Sequence, residues 1–131
     1  MPFPVEEKFI LRAENLLNVK FPDSYRTKMS NDNGGAVEVG EDIFYLYPIY
    51  DDSDRKRIGR TINSVVKETE YQRSNGLSKD VIAIGDNQGG DLLVFKINKS
   101  GHIDEKIFWI DHEVQELELV VNSFSELNES M

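Results

Sequence analysis

The side chains best placed to do chemistry in this 131-residue chain lie in two aspartate-rich stretches. One is Asp51-Asp52-Ser53-Asp54; the other is Gly85-Asp86-Asn87-Gln88-Gly89-Gly90-Asp91. As calcium loops both fail, because the twelfth position needs a bidentate glutamate and here holds Ile62 and Ile97. As a phosphate loop the second stretch also fails. It lacks the Lys-Ser/Thr pair and leads into the strand-like run Leu92-Leu93-Val94-Phe95, where a phosphate loop would open a helix. What remains is conformational chemistry: Gly85, Gly89 and Gly90 permit tight geometry, and Asp86 and Asp91 can bond to turn amides.

The rest of the chain adds no catalytic set. There is no cysteine, which removes disulfides and thiolate metal sites. The two histidines, His102 and His112, lack metal-motif spacing, and the latter reads as a surface histidine flanked by Asp111 and Glu113. No serine sits in a Gly-x-Ser-x-Gly elbow, and among 24 acids no spacing singles out a hydrolytic pair. The expectation is a protein without catalytic activity, cofactor or metal.

Charge is more informative. The net charge is −9, and after residue 100 there are eight acids against one base, Lys106. Such a tail repels phosphates, which argues against nucleic acid or anionic lipid as a partner. It would either serve as a solvating face or steer a basic protein toward the chain. The acids concerned are Asp104, Glu105, Asp111, Glu113, Glu116 and Glu118, with Asp51, Asp52 and Asp54 as a second candidate patch. Tyr45 and Tyr47, two apart on one strand, would add interface anchors if their face is open and core contacts if it is not. The basic stretch Arg55-Lys56-Arg57 follows three aspartates without interleaved aromatics and reads as a charge-balanced loop.

Several elements would position these residues. Phe9, Ile10, Ala13, Leu16 and Leu17 have the spacing of an amphipathic helix, with Glu14 on its polar side. Pro22 suits the first position of a second helix, and Asn33-Gly34-Gly35 its end. Strands are expected over 36–39, 43–47, 81–84, 91–97 and 107–110, and a mobile polar loop over 51–60. Thr61 would cap a middle helix with the stripe Ile62, Val65, Val66 and Thr69. Leu117, Val120, Val121, Phe124 and Leu127 are spaced as a closing helix, whose first turn would favour Glu116 and Glu118 for structural reasons alone. Strands in runs joined by short turns make this an α+β chain. It is read as one domain over 1–131: a mostly antiparallel sheet with N-terminal, middle and C-terminal helices packed on it. The start of the chain lacks a signal-peptide pattern and no apolar run is long enough to cross a bilayer, so a cytoplasmic protein is expected.

Read in order, the motifs resemble the SUKH superfamily. They are Phe21-Pro22-Asp23-Ser24-Tyr25, Asn33-Gly34-Gly35, Ile84-Gly85-Asp86 with Gly89-Gly90-Asp91, Trp109-Ile110-Asp111-His112-Glu113, and Val121-Asn122-Ser123-Phe124. Phe21 departs from the leucine more usual before that proline. The resemblance implies a non-catalytic α+β binding domain. Many bacterial members are immunity proteins that neutralise a cognate toxin, often a nuclease, whose basic site an acidic surface complements. The runner-up that the resemblance implies is a regulatory scaffold like the regulators of cell-wall glucan synthesis, for which a long disordered extension is expected.

Overall fold

The computed structural model describes residues 3–98, 100–113 and 116–129. Two helices open it, α1 (Glu7–Leu17) and α2 (Asp23–Asn31), followed by a hairpin of β1 (Ala36–Val39) and β2 (Asp42–Leu46). Helices α3 (Arg55–Arg60) and α4 (Val65–Ser74) come next, then the strands β3 (Val81–Asp86), β4 (Leu92–Ile97), β5 (Ile103–Ile110) and β6 (Leu117–Val121). A 3-10 turn (Phe124–Glu126) and the two-residue β7 (Asn128–Glu129) complete it. All strands pair antiparallel in one sheet of order β6-β5-β4-β3-β2-β1-β7.

α1 forms as its spacing predicts and ends where Asn18 adopts the left-handed conformation, φ 58°. Its stripe differs at two positions. Leu16 is 67% exposed, whereas Glu14 is buried. The Glu14 carboxylate accepts the Phe21 N–H at 2.7 Å and pairs with Arg26 at 3.3 Å, so it pins the crossing from α1 into α2. Pro22 stands just before α2, at its cap position. Tyr25 on α2 is fully buried and makes edge-on contacts with Phe21, Phe95 and Phe124. Burial alone pushes its phenol well above the ordinary range.

The sheet curls strongly, and Gly85 is where it can. A Cβ there would stand 2.7 Å from the Tyr45 carbonyl oxygen, so β2 approaches β3 as closely as it does only because position 85 has no side chain. Register shifts between Ala83 and Gly85 at the same point. The curl brings Phe44 of β2 against Trp109 of β5, with ring centroids 4.9 Å apart, although two strands lie between theirs.

β2 pairs with β3 only at Tyr45–Asp86 and Leu46–Gly85, which leaves the first half of β3 without a strand neighbour on that side. Helix α4 covers it. The Thr69 hydroxyl accepts the Ala83 N–H at 3.1 Å and donates to the Ala83 carbonyl at 3.3 Å. One turn later the Arg73 guanidinium donates to the Val81 carbonyl at 3.0 Å. Four helical residues rise about 6 Å, and two strand residues about 7 Å, so the spacings match.

Three expectations are corrected. The closing segment is strand β6 plus a 3-10 turn, not a C-terminal helix. Leu117-Glu118-Leu119 also alternates and Val120-Val121 is β-branched, and pairing with the outer edge of β5 outweighs the helical spacing. Residues 51–60 hold a helix, α3, because Asp54 caps it by accepting the Arg57 N–H at 2.8 Å. Thr61 terminates α3 and does not cap the middle helix; Ser64 caps α4, and Ile62 is left half-exposed. The basic side chains Lys56, Arg57 and Arg60 gather over the ring of Phe3.

Candidate functional site

Each glycine motif has a visible local task. Asn33 acts as a strand surrogate: its amide donates to the Ile49 carbonyl at 2.8 Å and its oxygen accepts the Ile49 N–H at 2.7 Å. Gly34 and Gly35 turn the chain from there into β1 with φ of 115° and 92°. In the second motif the Asp86 carboxylate accepts the Gln88 N–H, and the Asn87 side-chain oxygen accepts the N–H groups of Gly89 and Asp91. Gly90 has φ 100°, and a Cβ on it would press His112 at 3.3 Å; Gly85 and Gly89 have no positive φ.

Asp91 joins the second motif to the segment after β5. Its carboxylate accepts the His112 backbone N–H at 3.0 Å and meets Nδ1 of the same residue at 2.6 Å. Partial burial works to raise the Asp91 carboxyl, yet hydrogen bonds from His112, the Trp109 indole and Asn87 hold it below the ordinary range. His112 is correspondingly raised, first by that hydrogen bond and also by the charges of Asp91, Glu113 and Asp111. Asp91, Asp111 and His112 each bring a ligand atom within 4.8 Å of the others. All three already take part in hydrogen bonds, and three ligands fall short of the four that a structural zinc takes.

The acids after residue 100 do not form one patch. Asp104 and Glu105 lie at the start of β5, and Asp111, Glu113, Glu116 and Glu118 at its far end and on β6. Six residues of extended chain separate the sets by about 20 Å. All are exposed except the half-buried Asp111. The first set has Lys106 beside it, and Asp104 accepts the Lys106 N–H at 3.0 Å. The second is the more purely acidic.

In the second candidate patch only Asp51 is buried, which removes it from any binding surface; Asp52 and Asp54 are exposed, and all three are engaged within the chain. Asp51 is 3% exposed, accepts the Ser53 N–H and pairs with Arg57. Asp52 pairs with Arg12 at 3.2 Å, and Asp54 caps α3. Tyr45 and Tyr47 are likewise separated. Tyr45 is 45% exposed, but Tyr47 lies past the end of β2, buried, with its hydroxyl donating to Asp86 at 2.7 Å. Burial first, then that bond, pushes its phenol well above the ordinary range.

A groove of about 400 Å³ lies where the curled sheet comes round toward itself, between β6 and the end of β1. Trp109 contributes to its wall, with Glu118 from β6, Glu38 from β1 and Glu126 from the 3-10 turn. Among the described residues no basic side chain lines it. Glu126 is occupied, accepting the N–H groups of Asn122 and Ser123.

Residues 4–130 match the SMI1 / KNR4 family (SUKH-1). The chain belongs to that family. No curated protein matches it closely enough to count as a relative. The match spans the α+β fold just described, and membership places the chain among immunity- and regulator-like proteins that act through protein–protein interaction. Among the described residues no helix is long and apolar enough to cross a membrane.

Two residues were missed from sequence, Glu38 in the groove and Glu14 at the α1–α2 crossing. Glu38 shares the groove only because the sheet curls, a long-range outcome with no local signal. Glu14 did carry a signal, since Ile10, Ala13, Glu14 and Leu17 are themselves at i, i+3, i+4 and i+7.

Proposed function

We propose that the chain is an immunity-type binding protein that neutralises a basic protein toxin in the cytoplasm, with a nuclease as the best-fitting class. The observation that carries this reading is the acidic end formed by exposed Glu113, Glu116 and Glu118 with half-buried Asp111, on a member of a protein-binding family. A nuclease site must be basic to hold phosphates, and an acidic surface can occupy it in their place. The chain acts by binding, with no catalytic step and no cofactor. Family membership also supports a regulatory scaffold related to the cell-wall regulators, but nothing in the charge distribution favours it.

The test is co-expression with the toxin domain encoded beside the gene. The native chain should restore growth, Glu113→Lys/Glu116→Lys/Glu118→Lys should fail to, and Asp104→Lys/Glu105→Lys should still protect. Undiminished protection by the first variant would contradict the reading, as would a neighbouring gene set without any toxin.

A further inference from the structure

The sheet has an edge with which no strand among the described residues pairs. β6 is the terminal strand, paired with β5 on one side only. Exposed strand edges template pairing with other chains, and proteins guard them with lysine, proline or an inward-pointing charge. Residues Leu117–Val121 contain neither lysine nor proline. Their one guard is Glu118, which lies opposite Trp109 and so on the same, concave face of the sheet, beside the groove. Leu117 and Leu119 stand opposite Ile110 and Phe108, 39% and 49% exposed, and Leu119 also borders the groove.

An anionic guard selects among partner strands by their charge. A second copy pairing through this edge would bring two sets of Glu116 and Glu118 together, which like-charge repulsion disfavours. A cationic strand would neutralise the same residues. We propose that the β6 edge accepts an extended, basic segment of a partner protein as an added strand. Alternate apolar side chains of that segment would cover Leu117 and Leu119. The intervening lysines or arginines would enter the groove toward Glu118, Glu38 and the face of Trp109. This rests on the reading of the partner as a basic protein, and it specifies which part of the acidic end is used.

A decapeptide of alternating lysine and valine serves as the probe, titrated into the isotope-labelled protein with backbone amides followed by NMR. The expected result is perturbation of residues 117–121 and 38–40, with slowed hydrogen exchange along β6. Glu118→Lys should weaken binding at least about tenfold, since an opposite-charge contact becomes a like-charge one. Glu38→Lys, on a separate strand, is the second variant should the first disturb the fold, and it should weaken binding in the same direction. A glutamate–valine decapeptide should not bind. Perturbation confined to the Asp104–Glu105 end or to the helices would overturn the edge proposal while leaving the acidic-surface reading standing. Equal binding of the glutamate peptide, or concentration-dependent dimerisation through β6, would overturn it too. Loss of toxin protection by the acidic-end variants tests the underlying reading separately.

Discussion

At the scale of single residues, Asp91 connects the two parts of the sequence that most define the chain. Its carboxylate holds His112 by backbone and ring, so the glycine-rich turn and the segment after Trp109 are fixed to each other. His112 has its affinity for a proton raised above the ordinary value of 6.5. The stability it contributes is therefore complete below that value and fades as pH rises through its own higher pKa. Asp91 is held below its ordinary 3.8, so its contribution is complete above that value and fades as pH falls through its lower pKa. The link is strongest between the two ordinary values. In an NMR titration the His112 ring should titrate above 6.5, and Asp91→Asn should return it toward that figure. An unchanged midpoint in the variant would assign the shift to Asp111 and Glu113 instead.

At the scale of elements, helix α4 substitutes for a strand. Thr69 supplies both a donor and an acceptor to Ala83, in the position that β2 leaves vacant. Thr69→Val keeps the shape and removes both bonds, leaving a buried N–H and carbonyl unmet. It should cost about 1–3 kcal/mol of unfolding free energy, read from denaturant titration. Thr69→Ser keeps the hydroxyl and should cost about 1 kcal/mol or less, the value of one buried methyl group. Equal losses in the two variants would mean that packing, not the ladder, is what Thr69 provides. This is also where sequence reading reached its limit. Thr69 was legible as a buried helical position, and α1, α2 and the central strands were legible from spacing, caps and branched residues. The partner of Thr69 was not, because which strand runs short is decided by the whole sheet. The same holds for β6, whose residues fit two periods until the edge of β5 selects one. Helix α3 was hidden for a different reason: its stability comes from Asp54 and Asp51 holding Arg57, in a stretch whose charges alone suggest a solvated loop.

At the scale of the whole molecule, the curl of the sheet decides which acids act together. It separates Asp104 and Glu105 from the acidic end by the length of β5, and it brings Glu38 from a distant strand to join Glu118. The net charge and the acidic tail were readable from composition; their division into two sets was not, because it depends on strand direction. The internal use of Asp51, Asp52 and Asp54 was equally beyond reach, since each is satisfied by an arginine placed through tertiary structure or a local cap. Of the two acidic sets, the one at the far end of β5 lies beside an open strand edge. The measurement that tests this most directly is the association rate with the purified toxin domain as a function of salt. The native chain should associate more slowly as ionic strength rises, steeply for association and weakly for dissociation, and the triple reversal of Glu113, Glu116 and Glu118 should flatten that dependence. Association that is insensitive to salt, with an affinity unchanged in the triple variant, would contradict the acidic-end account.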